Sequence, residues 1–452
     1  MITPNQIRTI ASLLLLSYFT STNNPTHAQP IAPAADGTGT IVNPDGQQFN
    51  IEGGQLSKDG ANLFHSFEQF GLDAGQVANF LSNPDIQNIL GRITGGDASI
   101  INGLIQLTGG NSNLYLMNPA GILFGPNAQL NVPADFFATT ATGIGFSEGN
   151  WFNAVGDIQW SNLVGTPSQF AFDTLQPGSI INQGNLTLEP GQNLTLLGGT
   201  LLNSGILSAP GGNITLSAVP GESIVRISQE NHLLSLDIKT GRSGLEIPTP
   251  QSLPELLTGS GATHANQVTI NPDGSVQLSS SGINLDTQPG DNIAAGTITT
   301  SQGQIAILGN RVAVIDANIN ASGINGGGTV LIGGDYQGNG LIPNAVQTFI
   351  SPNTTIHADA IETGDGGRVI IWADETTQFF GNISAKGGTE LGDGGFVEVS
   401  GLEFLDFQGQ VDTFAPNGNL GTLLLDPTDI VIVAAGTGET LNLNQVNAFN
   451  KP

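Results

Sequence analysis

The chain has 452 residues, no cysteine, and a formal net charge of −27 from 10 Lys+Arg against 37 Asp+Glu. So few basic side chains make nucleic acid a poor partner, since phosphate binding depends on them, and no Lys/Arg cluster addresses an anionic lipid surface. With 38% hydrophobic residues the chain is not a disordered acidic tail, and without cysteine it has neither disulfides nor thiolate metal sites.

Glycine, at 63 residues, is about twice its usual share, and charged residues make up only 10%. Short apolar runs separated by Gly, Asn and Asp point to an all-β protein with frequent tight turns.

Residues 1–28 read as a signal peptide. Arg8 supplies a lone positive charge, the span from Ile10 to Phe19 is an apolar core, and Thr26-His27-Ala28 ends in the small residue that cleavage requires. No later run is long and apolar enough for a membrane-spanning helix, so the mature chain is expected to be exported without one. An oxidising periplasm would lock a disulfide-bonded chain, and a cysteine-free chain stays threadable.

Segment 36–150 is richer in aromatics and less repetitive than the rest of the chain. It suits a cap over the first edge of a strand array, because open edges aggregate. Phe64, Phe67 and Phe70 are expected in an irregular strand and loop. Two apolar runs come next, joined by a Gly-Gly-Asp turn. The stretch NSNLYLMNPAGILFGPNAQLN (111–131) then crowds turn formers among core formers.

In NLTLEPGQNLTLLGGTLLNSGILSAPGGNITL (185–216), Asn193-Leu-Thr-Leu recurs as Asn213-Ile-Thr-Leu. Two further short runs, Thr200-Leu-Leu and Ile206-Leu-Ser, lie between them. Three strands in about 20 residues make one rung of a parallel β-helix. Alternation puts Leu194 and Leu196 on one face and Thr195 on the other. A single rung cannot offset its ordering entropy, so stability must belong to the stack.

Segment 222–300, with a short helix at Leu253–Leu257, reads as an insertion or a boundary between two solenoid stretches. The theme returns in GGGTVLIGG, GDGGRVIIWA and GDGGFVEVSG, and two more runs lie in NGNLGTLLLDPTDIVIV (417–433). Val330, Val369 and Val397 are irregularly spaced, so loops or extra strands must bulge from some rungs.

Taken in order, DGTGTIVNPDGQQFNIEGG, ANLFHSFEQFGL, DIQNILGRITGG, NSNLYLMNPAGILFGPNAQLNV and DFFATTATGI resemble the secretion domain of two-partner-secretion exoproteins, the filamentous-haemagglutinin-like proteins. The rungs near 185–216 extend the resemblance to about residue 220. The family's NPNL signature corresponds to Asn111-Ser112-Asn113-Leu114, with Ser for Pro. Its NPNGI signature corresponds to Asn118-Pro119-Ala120-Gly121-Ile122, with Ala for the second Asn. Asn118 to Gly121 suits a type I turn, which Ala120 tolerates. The motif either pins this turn or also touches a transporter.

The resemblance implies export through the periplasm and outer membrane by a dedicated β-barrel transporter with periplasmic binding modules. It implies an adhesin-like protein, secreted or at the cell surface, that meets a host or neighbouring-cell surface.

The rival reading is a secreted β-helix that binds or cleaves polysaccharide. Its candidates are Asp365-Gly-Gly-Arg368, Asp374-Glu375 and Asp393. They sit in Gly-rich turns, where Asp is ordinary. No G-x-S-x-G occurs. His27, His65, His232, His264 and His357 lack metal-ligand spacing, and His357 beside Asp359 reads as a surface histidine. The calcium-binding nonapeptide does not repeat in tandem. No enzyme activity, cofactor or metal is expected.

The expected fold is an all-β, right-handed parallel β-helix with an N-terminal cap and extra-helical β elements. The organisation is a signal peptide (1–28), a secretion domain (29–270, core motifs 36–150), and a β-helix continuation (271–452), which reads as a truncated or unusually short member lacking an effector or adhesive region.

Overall fold

Leu194 and Leu196 point into the interior and Thr195 away from it, so the strand Leu194–Gly198 obeys its alternation. It is followed by Thr200–Asn203 and Ile206–Ala209, and Gly199 and Ser204-Gly205 form the corners. Ile214–Ala218 then returns onto the first strand, with Leu194 against Ile214 and Leu196 against Leu216 in parallel register.

In this computed structural model residues 30–227 and 287–426 are described, together with the strands Leu234–Ile238, Val268–Ile270, Val276–Leu278 and Ile283–Leu285. The signal peptide, the helix at Leu253–Leu257 and the apolar run near 430 lie outside the described residues.

Repetition of the rung builds three columns of strands. One is a 13-stranded sheet (sheet 1). A 19-stranded sheet holds the other two columns (sheets 2 and 3), which fuse where Asp291–Thr300 and Arg311–Asn320 run through the corner between them. The columns are parallel ladders, and the inward apolar residues of all three form one core from Ile31 to Val399. Val330, Val369 and Val397 stack in register despite their irregular spacing. The chain is a parallel β-helix.

In its first rungs sheet 1 is buried on both faces, which alternation alone does not reveal. Phe64, Leu90, Tyr115 and Phe137 occupy one outward register position on successive strands. They pack under Ile144, Phe146, Phe152 and Phe170 of an extra-helical layer. That layer is antiparallel: Gly143–Gly145, Trp151–Asn153, Gln169–Phe172, Ser223–Ile227 and Leu234–Ile238. The chain leaves the solenoid for it after sheet 1 strands Phe136–Thr139 and Ile214–Ala218, at the same corner both times.

Segment 222–300 is therefore an excursion within one rung that ends before its last strand, Asp291–Thr300, which is back in the solenoid. Leu201, before the excursion, pairs with Asn292 of that strand, and the ladder continues.

The cap is smaller than expected. It comprises the hairpin of Thr40–Asp45 with Gln48–Gly53, and the short strands Ala32–Pro33 and Gln55–Leu56, antiparallel to the first rung. Asn62–Gln69 is already a regular parallel strand and carries Phe64 and Phe67, correcting the irregular strand and loop expected there. Its aromatics reflect burial on two faces: Phe67 joins the inner core and Phe64 the outer layer.

Glycine has two uses. Gly392, at φ +132°, turns where L side chains strain. Gly395 has ordinary φ, but a Cβ there would lie 2.2 Å from the carbonyl oxygen of Gly367 one rung below; Gly367 meets Gly328 in the same way at 2.1 Å. The turn-forming role is legible locally, and the close approach belongs to the stack.

Candidate recognition site

The stretch 111–124 supplies a sheet 1 strand, Asn113–Met117, a turn, and a sheet 2 strand, Ile122–Phe124. Leu114 and Ile122 enter the inner core. Ser112 is buried; its Oγ donates to the Ile86 carbonyl at 2.6 Å and lies 2.6 Å from Ser82 Oγ.

Asn113 belongs to a ladder of amides at the entry to sheet 1. Asn113 Nδ2 donates to Asn88 Oδ1 at 3.0 Å, and Asn88 Nδ2 to Asn62 Oδ1 at 2.8 Å. Above, Asp135 N donates to Asn113 Oδ1, and Asn193 N to Asp135 Oδ1 at 2.8 Å. Asn213 Nδ2 then donates to Asn193 Oδ1 at 2.9 Å. Each side chain satisfies the next rung's entry. Burial pushes the Asp135 carboxyl above its ordinary pKa.

Asn118 makes the turn. Its carbonyl accepts from Gly121 N at 3.0 Å and its Oδ1 from Ala120 N at 3.0 Å, while Nδ2 donates to the Asp97 carbonyl and Ser99 Oγ, both at 3.0 Å. Ala120 does not take a positive φ, as a type I turn requires. Gly178, where the chain returns from the extra-helical layer, donates to the Pro119 carbonyl at 3.2 Å. The turn thus lies between the rung below and the rung above. Of the two motifs only Asn111 and Ala120 are exposed. Ala120 is also where the chain departs from the NPNGI pattern.

Sequence reasoning missed the groups that tie the cap down. Arg92, 2% exposed, donates from Nη2 to Asp36 Oδ2 at 2.8 Å, from Nε to Ser66 Oγ, and from Nη1 to the Asn153 carbonyl. It lies 5.4 Å from the Trp160 ring centroid. Partial burial would raise the Asp36 pKa, but hydrogen bonds from Ser66, Thr38 and Arg92 hold it down to about 2. Cap, second rung and extra-helical layer meet at this guanidinium. The available signal was a lone Arg inside the apolar run of Asn88–Ile93.

Of the carboxylates weighed for catalysis, those of Asp365, Asp374 and Asp393 are engaged in the fold. Asp365 Oδ1 accepts from Asp393 N at 2.7 Å, and Asp393 Oδ1 from Asn419 N at 2.8 Å, so each Asp caps the next rung's turn. Asp374 Oδ1 accepts from Trp372 Nε1 and Asn344 Nδ2, both at 2.9 Å. Glu375 is next in the chain; its carbonyl accepts from the Glu403 and Phe404 amides of the next rung. Arg368 reaches Asp335 at 3.5 Å. His357 Nδ1 lies 3.6 Å from Asp359 Oδ2, with the imidazole 41% exposed. Among the described residues no three His, Cys, Asp or Glu side chains cluster as metal ligands.

Residues 28–245 match the family of the TPS secretion domain. This segment is a TPS secretion domain. Over this segment, just under half of the chain, the protein resembles two-partner-secretion exoproteins of the filamentous-haemagglutinin-like kind. Such a domain marks a protein for export and implies a dedicated outer-membrane transporter as its partner. Among solved structures, the HMW1 secretion domain from Haemophilus influenzae aligns at 23% identity and TM-score 0.45, covering 88% of this chain and 100% of its own. A filamentous haemagglutinin secretion domain aligns at 12% identity and TM-score 0.28, covering 87% of this chain and 100% of its own. No curated protein matches the chain. No helix among the described residues is long and apolar enough to cross a membrane.

Proposed function

We propose that residues 29–270 address this protein to a dedicated outer-membrane β-barrel transporter with periplasmic binding modules. The rest of the chain is the exported, adhesin-like passenger, released or held at the cell surface. The observation that carries this reading is the family match over residues 28–245.

Physical features support it. The unpaired strand edges of an extended chain suit addition to a small sheet in the transporter's periplasmic modules, where main-chain hydrogen bonds give affinity. Each rung contacts its neighbours, so the fold can form progressively as chain emerges, which biases threading outward. The chain contains no cysteine that could lock it beforehand.

Co-expression with a candidate outer-membrane barrel that carries periplasmic binding modules tests the reading. Residues 1–270 should yield the mature secretion domain in the medium only when the barrel is present. Equal release without it would refute the proposal.

A further inference from the structure

A groove of about 420 Å³ runs along sheet 1 beyond the matched secretion domain, between Gly327 and Thr422. Thr329, Arg368, Phe396 and Thr422 hold one outward register position on four successive strands and form one wall. Asp365 also lines the groove. Its floor is backbone, because the rungs approach too closely there for a Cβ.

The wall is reinforced by the loop between Thr329–Ile332 and Gln347–Ile350. Tyr336 from this loop, 38% exposed, sets its ring against Phe396 with centroids 5.7 Å apart at 68°. The Arg368 guanidinium lies 5.3 Å from the Tyr336 centroid, and its Nη2 is 3.5 Å from Asp335. The groove thus offers aromatic surface, two threonine hydroxyls and a carboxylate, with its cation already paired.

This chemistry selects a class of ligand. Aromatic rings pack on the C–H faces of sugar rings, and fixed polar groups orient the hydroxyls. A polyanion would meet a protein of net charge −27 and an arginine engaged by Asp335. The groove crosses four rungs, roughly 4.8 Å apart, along a straight track. That length suits an extended polymer better than a compact small molecule.

We propose that this groove binds a linear neutral polysaccharide. Asp365 accepts the Asp393 amide at 2.7 Å, which fixes its carboxylate beside the groove. The proposal concerns the passenger and stands apart from the export reading.

Affinity electrophoresis of the purified mature chain tests it, with hydroxyethylcellulose, glucomannan and xylan as neutral probes and polygalacturonate and alginate as anionic ones. At least one neutral polymer should retard the protein. Phe396→Ala and Tyr336→Ala should each weaken that binding about tenfold, with circular dichroism and melting unchanged for Tyr336→Ala, whose ring sits on an exposed loop. Thr355→Ala, on sheet 3, should leave binding intact. Retardation by the anionic polymers alone, by none of the five, or to the same extent in folded Tyr336→Ala would overturn the proposal.

Discussion

Arg311 grips Asp291 one rung below it, Nε to Oδ1 at 2.7 Å and Nη2 to Oδ2 at 2.5 Å, with both side chains 1% exposed. The pair sits in register at the start of the two strands that join sheets 2 and 3. Burial raises the Asp291 pKa, and the guanidinium opposes that rise. Removing one partner strands the other charge in a dry site. Arg311→Met is expected to cost about 3–5 kcal/mol, and Arg311→Met with Asp291→Leu to recover most of it. Urea denaturation of both variants checks this.

His65 makes the first rung acid-sensitive. Its ring is fully buried near Phe67 and Phe80, and neither nitrogen has a hydrogen-bond partner. Burial lowers its pKa to about 4 from an ordinary 6.5. The folded form favours neutral imidazole, so this contribution is complete above pH 6.5 and is lost as pH falls toward 4. The loss amounts to about 3 kcal/mol at most. The slope of stability between those pH values should flatten in His65→Leu. Asp36, held at about 2, loses its contribution in a separate window below pH 3.8.

Gly395→Ala tests the contact between rungs. The added Cβ would meet the Gly367 carbonyl oxygen at 2.2 Å, and the adjoining bond from Phe396 N to Gly367 O, 3.0 Å long, would be strained. Overpacking of this kind costs about 1–3 kcal/mol. Faster amide exchange confined to the rungs around Gly367 and Gly395 is the expected signature.

The Asn-Pro turn separates stability from recognition. Asn118→Ala removes two donated bonds and one accepted bond from a site 1% exposed. It should cost about 2–3 kcal/mol. Ala120→Asn restores the family residue at the exposed position and should leave stability within about 0.5 kcal/mol. A change in transporter-dependent release with Ala120→Asn would show that the turn is also read by the partner; unchanged release would make it purely structural.

Threading is tested by a reversible lock. Thr187 and Ser208 are register partners on adjacent rungs of sheet 3, at a separation a disulfide can span. In T187C/S208C, a bond formed in the periplasm should block release, and reductant should restore it. Undiminished release of the oxidised form would argue against an unfolded passage.

Much of this architecture is legible along the chain. Leu194, Thr195 and Leu196 alternate as a strand must, and Gly-Gly, Asn-Ser-Gly and Pro-Gly-Gly mark corners of one rung. The turn at Asn118–Gly121 is implied by its residue types, and its packing against Asp97, Ser99 and Gly178 is not. Aromatic content suggests a larger cap than the fold contains, because it looks like departure from the repeat; Phe64 and Phe67 are aromatic because their strand is buried on both sides.

What the sequence determined by itself is local: strands by alternation, corners by turn chemistry, and a stack because one rung cannot stand alone. Tertiary structure decided what lies far apart in the chain. It laid the layer around Phe152 over sheet 1, brought Asn292 beside Leu201 across a long excursion, and enclosed Arg92 and Arg311 with their carboxylates. The reason is physical. Alternation gives the direction a side chain points, but burial and charge pairing depend on which distant segment comes to cover that face.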